Sequence, residues 1–235
     1  MYVPLELADA KQLPQGTPTL LVPFREQVEQ KRGEQLQKFV SHIHRFHPDW
    51  NVLIIEQSDD SRKFNRGALL NAGAQLAEEG GMSYVIFHDV DLLPLMKIVP
   101  YYTAFPEKPI HIGKAWTAKY DSPTFLGGVL SMSISDIKKT NGFPNQFWGW
   151  GGEDDALRNR IKAKKLEVFQ PTLRGEGYKE LVHVDSRTKQ EWKNMRKWED
   201  LKEDTGRSGY KNVKYTILQS DDITDKIKKI TVELK

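Results

Sequence analysis

Five alternating segments in the first ninety residues constrain the fold of this chain more than any other feature. Thr19-Leu20-Leu21-Val22 is a short apolar run closed by Pro23, and Val52 to Ile55 and Tyr84 to Phe87 are two more of the same kind. Runs this short and this continuously apolar suit strands buried on both faces. Two stretches of helical period separate them. Leu36, Phe39, Val40, Ile43 and Phe46 recur within about residues 26–46, where Pro48 stops the pattern. Leu69, Ala72, Gly73 and Leu76 recur within residues 67–79, and the small residues among them allow close packing. A strand–helix–strand–helix–strand order predicts parallel pairing with helices on the faces, a Rossmann-like layout. Ligands of such sheets bind beyond the carboxyl ends of the strands. The third run passes into Asp89-Val90-Asp91 at that end.

The remainder is more mixed. Residues 110–115 and 128–133 read as further strands, and residues 135–139 as a helical turn before the turn signal Asn141-Gly142-Phe143-Pro144. A helix is expected from about Asp154 to Lys165, with Leu157 and Ile161 on one face. Glu180 to Asp185 alternates like a strand, placing Leu181, His183 and Asp185 on one side. Residues 186–211 are densely charged and read as a mobile helix or lid; residues 213–218 and 230–234 read as terminal strands. Residues 1–16 are polar, with Pro4, Pro14 and Gly16, and suggest a loose lead-in. The expected division is a lead-in over 1–18 and a single domain over 19–235.

Composition removes several function classes. Among 235 residues, 35 basic side chains nearly balance 32 acidic ones, which gives no reason to favour nucleic acid or a membrane surface. The chain has no cysteine, so disulfides, thiolate chemistry and cysteine-bound zinc are excluded. No stretch approaches the roughly 20 apolar residues of a membrane span. Residues 1–7 lack the basic and apolar regions of a signal peptide. The chain as it stands therefore reads as cytoplasmic, or as lumenal if an N-terminal anchor precedes it.

The chemistry-bearing stretch is Gln146-Phe147-Trp148-Gly149-Trp150-Gly151-Gly152-Glu153-Asp154-Asp155. Flat apolar faces beside carboxylates suit a sugar, which offers C–H faces and hydroxyl edges. Glycines let the backbone come close to a ligand. Glu153, Asp154 and Asp155 cannot all face one place; one can complement a helix N-terminus while another acts as general base on a hydroxyl. The sequence leaves open which acid does so. Asp89 and Asp91 can hold a divalent cation against a diphosphate. Asp91, His183 and Asp185 can converge on one ion, and an imidazole among carboxylates favours manganese over magnesium. Arg25 after the first strand and Phe64-Asn65-Arg66 at the second helix suit nucleotide contact. His42, His44 and His47 look like a metal cluster but fit a helix C-terminus, where cationic side chains are favoured. His88 and His111 read as structural.

Assembled in order, Val22-Pro23-Phe24-Arg25, Phe64 to Asn71, His88 to Leu95, Gly127-Gly128-Val129 and Phe147 to Asp155 resemble the β-1,4-galactosyltransferases. The likeness spans about residues 19–218 and is greatest to the branch that galactosylates xylose in the proteoglycan linker. It implies a GT-A fold, a UDP-sugar donor, a saccharide acceptor, Mn2+, and inversion by direct displacement. By the same resemblance Asp91 and His183 are metal ligands and Asp154 the catalytic base, while Glu153, Asp154, Asp155 and Trp148 are the expected acceptor contacts. Arg25, Phe64, Arg66, Asp89, Val90, Phe125, Trp150 and Gly151 fall on the donor side, Trp150 in a loop that closes over the donor.

This chain departs from that branch in three places. It has His183-Val184-Asp185 where the branch has His-x-His, so Asp185 is the candidate third ligand of a harder site. Phe125 stands where tyrosine is usual, which leaves galactose and N-acetylgalactosamine both open as donor sugars. The family's anchor and cysteines are missing, which bears on a Golgi location. Two readings compete with galactosyl transfer: an N-acetylhexosaminyl- or glucosyltransferase of chondroitin-synthase type, and a UDP-sugar-binding module without turnover.

Overall fold

The structure is a computed structural model that describes residues 2–116, 124–182 and 184–235. In chain order its elements are β1 (Tyr2–Leu5), α1 (Leu7–Ala10), β2 (Thr19–Phe24), α2 (Arg32–Phe46), β3 (Asn51–Gln57), α3 (Arg66–Glu79) and β4 (Tyr84–His88). Then come β5 (Leu92–Pro94), α4 (Val99–Thr103), β6 (Val129–Ser133), α5 (Ile134–Thr140), α6 (Glu153–Ala163), β7 (Val168–Pro171) and β8 (Tyr178–Glu180). The chain ends with α7 (Lys197–Glu203), β9 (Tyr215–Asp222) and β10 (Ile227–Leu234).

The expected parallel sheet is present and carries antiparallel edges. Strand order is β6-β4-β2-β3-β10-β9. β4, β2, β3 and β10 run parallel, while β6 pairs antiparallel with β4 and β9 with β10. Alternation along the strands divides the core between the two faces. Leu20, Val22, Val52, Ile54 and Ile86 meet Phe39 and Ile43 of α2 together with Tyr101 and Tyr102 of α4. Leu21, Val85, Phe87 and Met132 meet Leu70 and Ala74 of α3 and Leu157 and Ile161 of α6. Each of these large side chains is almost fully buried, which contributes about 1.5–3 kcal/mol apiece. Gly73 explains how α3 lies so near the sheet. A Cβ there would come within 2.9 Å of Ile55, so any larger residue would push the helix off β3. Among the described residues no helix is long and apolar enough to cross a membrane.

Four expectations need correction. Residues 1–16 are not a loose lead-in: β1 pairs parallel with β7, and Tyr101 Oη donates to Leu5 O at 3.1 Å. Residues 112–115 form a 3-10 turn rather than a strand, and only Ile110 keeps strand-like bridges, to Ser131 and Phe169. Among the described residues of 180–185 no strand continues beyond Glu180; β8 pairs with β5, and the Val182 and Val184 carbonyls go to the side chains of Gln35 and Gln30. Of the two readings of residues 186–211, the helix is confined to α7, with short 3-10 turns at Ser186–Thr188, Gln190–Trp192 and Tyr210–Asn212.

Candidate active site

The carboxyl ends of β2 and β4 open into a cleft of about 680 Å³. Its walls come from segments far apart in sequence: Phe24-Arg25 after β2, Phe64 and Arg66 at the start of α3, Asp89-Val90-Asp91 after β4, and Phe125 to Gly128 before β6. Trp150 to Asp155 at the start of α6, Asp185 to Arg187, Trp192 and Lys197 complete it.

Arg66 is the electrostatic centre of this cleft. Asn65 caps α3 by accepting from Ala68 N at 2.9 Å, and its own N–H donates to Gln57 Oε1 at 2.8 Å. With that end of α3 fixed, the Arg66 guanidinium reaches across two elements. Nε and Nη2 donate to Asp89 Oδ1 at 3.0 and 2.8 Å, Nη1 donates to Asp154 Oδ1 at 3.0 Å, and Glu153 Oε1 lies 3.7 Å away. Burial disfavours the charge on Arg66, but the carboxylates of Asp89, Asp154 and Glu153 outweigh it and raise its pKa further above the ordinary arginine range.

The three acids of α6 divide their roles. They occupy the first turn behind Gly152, where negative charge complements the helix dipole. Burial, reinforced by the neighbouring Asp154 charge, pushes the Glu153 carboxyl up to about 7 against the pull of Arg66. Burial also raises Asp154, with Arg66 opposing and Asp89 and Asp155 adding to the rise. A third of the Asp154 side chain still faces the cleft. Asp155 behaves oppositely: burial alone would raise it, but Lys197 at 2.9 Å and Arg158 at 2.7 Å hold it below the usual carboxylate range.

On the far wall Asp91 is 7% exposed, and Arg32 Nη1 donates to its Oδ2 at 3.2 Å. A buried carboxylate at the strand end is a hard oxygen ligand that fits a divalent cation. Asp185 lines the same cleft, but its Oδ1 accepts from Arg187 N at 2.8 Å and its carboxylate is forked by the Arg187 side chain. In this arrangement it caps a 3-10 turn. His183, the other expected ligand, lies outside the described residues. Among the described residues no group of three His, Asp or Glu side chains gathers as a metal cluster.

The remaining expected contacts separate into those the cleft includes and one it does not. Arg25 lines it, donating to Arg62 O at 2.6 Å with its guanidinium carbon 5.9 Å from the Phe64 ring centre. Val90, Phe125 and Gly151 also line it. Trp150 stands at the rim, 48% exposed. Trp148 does not reach the cleft. It borders a smaller hollow with Ala68, Asn145 and Val213, under the Arg62 guanidinium 4.5 Å from its ring centre. In an extended chain residues two apart share a face, but Gly149 between them has a φ of +89° and turns the backbone, so Trp150 lines the cleft and Trp148 the smaller hollow. The histidine triplet near residue 44 is not a metal group either, since His42 and His47 both bond Pro94 O, at 2.8 and 3.3 Å, and His44 is exposed. His88 and His111 are buried, and burial lowers each to about 4, as structural histidines require.

Sequence reasoning missed Arg32, Gln30, Gln35, Trp192 and Lys197. Gln30 Nε2 donates to Val184 O and Ser186 Oγ at 3.0 and 2.9 Å, and Gln35 Nε2 to Val182 O at 3.1 Å. A polar first turn of a helix looks solvated in sequence, so nothing there signalled a contact 150 residues away. Trp192 O accepts from Trp150 N at 2.5 Å, and Asn194 N donates to Trp150 O at 3.0 Å. That pairing ties the tryptophan loop to the charged segment.

Comparison with known proteins agrees with this geometry. Residues 10–103 match the N-terminal region of glycosyl transferase group 7, and residues 107–184 match a model described as the N-terminal domain of galactosyltransferase. Beta-1,4-galactosyltransferase 7 of Mus musculus is 39% identical over 171 residues, 70% of this chain and 50% of the relative. The chain thus spans about half the length of the curated relatives it matches. The crystal structure of the catalytic domain of Drosophila beta1,4galactosyltransferase 7 with xylobiose superposes with a TM-score of 0.78 at 29% identity, covering 93% of this chain and 94% of that one. A mutant of the same enzyme, in complex with manganese, UDP-Gal and xylobiose, superposes with a TM-score of 0.77 at 29% identity and the same coverage. The GT-A layout follows from these superpositions and from the sheet. With two adjoining models of one family matched along most of its length, the chain belongs to the glycosyltransferase group 7 family.

Proposed function

We propose that this chain transfers galactose from UDP-galactose to a hydroxyl of a xylose-bearing acceptor, with Mn2+ and with inversion at the anomeric carbon. The observation that carries the reading is the bridge made by Arg66. One guanidinium spans Asp89, on the side where the diphosphate is expected, and Asp154, on the side where the acceptor is expected. The relatives supply the substrate classes, since one solved structure contains manganese, UDP-Gal and xylobiose together.

Within this reading Asp154 is the base. Burial raises its proton affinity above that of an ordinary aspartate, which suits abstraction of a hydroxyl proton as the oxygen attacks. Glu153, raised to about 7, is largely protonated in mildly acidic solution and can donate to an acceptor oxygen as well as accept from one. Asp91, with His183 as its expected companion, would hold Mn2+; when bound, the ion supplies positive charge against the departing diphosphate. Arg25 and Phe64 border the nucleotide end, and the half-exposed Trp150 ring offers an apolar face to the sugars and limits access of water. Phe125 supplies bulk without a hydroxyl on the donor side. Asp155, neutralised by Lys197 and Arg158, acts on the acceptor end by holding the start of α6 in place.

The test is UDP release from a panel of UDP-sugars, with and without Mn2+ and with xylosides or N-acetylglucosaminides. Mn2+-dependent release from UDP-galactose, increased by a xyloside, is the expected result. Preferential release from UDP-N-acetylgalactosamine would reassign the donor. UDP binding with no release from any donor would replace transfer with a UDP-sugar-binding role.

A further inference from the structure

Arg32 is an unusual first residue for a 15-residue helix. A cation at a helix N-terminus opposes the macrodipole, so this placement costs α2 stability unless something compensates. Compensation comes from three acceptors. Arg32 Nε donates to Gln30 Oε1 at 2.9 Å, while Nη1 donates to Gln35 Oε1 at 2.8 Å and to Asp91 Oδ2 at 3.2 Å. The amide ends of the same two glutamines hold Val182 O, Val184 O and Ser186 Oγ. One polar bridge therefore fixes both the Asp91 carboxylate and the segment that carries Asp185. The Arg32 side chain is 17% exposed and that of Asp91 10%, so water screens this charge pair poorly.

We propose that Arg32 is a positioning residue that keeps the affinity of the nucleotide-free cleft for Mn2+ low and makes metal and nucleotide bind together. The inference rests on the reading of Asp91 as a ligand of the divalent ion. Arg32 donates to Oδ2 of Asp91, so it helps orient the carboxylate while its charge opposes a cation arriving beside it. A bound diphosphate brings negative charge that offsets this repulsion. Mn2+ binding is then weak alone and strong with UDP, and by linkage each ligand raises the affinity of the other by the same factor.

The measurement is Mn2+ binding to the intact chain, by titration calorimetry and by the electron paramagnetic resonance of free Mn2+, with and without UDP. Arg32→Gln should bind Mn2+ about tenfold more tightly than wild type without nucleotide, and the enhancement by UDP should shrink by the same factor. Arg32→Met, which removes the charge but keeps the apolar stem, should behave alike, and Arg32→Lys should stay near wild type. A purely structural role predicts the opposite sign, because loosening Asp91 weakens Mn2+ binding. Unchanged or weaker Mn2+ binding in both neutral variants, with wild type binding normally, would overturn the inference alone. Absence of Mn2+ binding to wild type even with UDP would overturn the metal reading and this inference with it.

Discussion

Arg66 and Asp154 are joined by a hydrogen bond of 3.0 Å from Nη1 to Oδ1, while the other edge of the same guanidinium holds Asp89. The start of α3 is thereby locked to the start of α6 through a charge that three carboxylates share. Arg66→Ala leaves those carboxylates facing one another in a largely buried site. Breaking a buried pair from one side costs about 3–5 kcal/mol; because Asp89 and Asp154 keep a third of their side-chain surface open, a loss of about 3 kcal/mol in urea denaturation at pH 7 is expected. Arg66→Lys should recover little of it, since one ammonium cannot fork two carboxylates across the cleft.

Asp154→Asn separates chemistry from binding. The amide keeps the size of the side chain and can still accept from Arg66, but it cannot take up the acceptor proton. Loss of a general base lowers turnover by about 10²–10⁴-fold. Transfer from UDP-galactose should therefore fall at least a hundredfold, while calorimetric binding of UDP with Mn2+ stays within a factor of about three. Near-normal turnover in this variant would remove Asp154 from the role of base.

The raised Glu153 carboxyl makes stability fall with pH. Its folded pKa of about 7 lies above the ordinary glutamate value, so between about 4.5 and 7 the folded state holds a proton that the unfolded chain has released. The stabilisation is full below the unfolded pKa and is lost as pH rises through the folded one. Each unit of difference is about 1.4 kcal/mol. Melting temperatures taken from pH 4.5 to 8 should decline over that window in wild type. Glu153→Gln should flatten the decline and be the more stable protein, relative to wild type, at pH 8.

How much of this was legible depended on whether a feature was local. The three apolar runs, the periodic helix over residues 67–79 and the Asp89-Val90-Asp91 strand end emerged as expected, because burial on both faces and a 3.6-residue period leave marks in neighbouring residues. β1 did not, since a four-residue strand interrupted by Pro4 is too short to leave a pattern of its own and is fixed by its partner β7, more than 160 residues away. Residues 181–185 misled for a related reason. Their alternation mimics a strand, yet the carbonyls of Val182 and Val184 are taken by the Gln35 and Gln30 side chains instead of a neighbouring strand. The cleft carboxylates were visible as residue types, whereas Arg32 on Asp91 and Lys197 on Asp155 are pairings that only tertiary structure creates.

Trp148 offers a direct check on which tryptophan serves the cleft. Its ring packs towards Val213 and β10 and lies under the Arg62 guanidinium. Trp148→Ala should reduce stability by about 2–3 kcal/mol, less than a fully buried tryptophan because the ring is only partly covered. The xyloside KM should move less than twofold. Trp150→Ala should show the reverse pattern, with little change in melting temperature and an acceptor or donor KM raised several-fold.

Gly149 joins the tryptophan loop to the charged segment, and the joint has no room for a side chain. Its φ of +89° lies in the region that glycine adopts readily and other residues resist. A Cβ there would stand 2.6 Å from the backbone carbon and oxygen of Lys193 and 2.8 Å from Asn194 N. These are backbone atoms, so no side-chain rotation relieves the clash. Gly149 N also donates to Phe64 O at 2.8 Å, and Lys63 Nζ donates to Lys193 O at 2.7 Å, so the contact couples the loop to the residues before α3. Gly149→Ala must therefore separate the loop from residues 190–194 and break the two hydrogen bonds at Trp150. The core of the sheet is remote from this joint, so the melting temperature should fall by only a few degrees, roughly 1–2 kcal/mol. Transfer should suffer far more, since Trp150 loses its seat at the rim: a fall in kcat/KM of tenfold or more is expected, with UDP hydrolysis rising relative to transfer as water gains access. Equal losses in stability and in both reactions would instead mean that the joint serves only the fold.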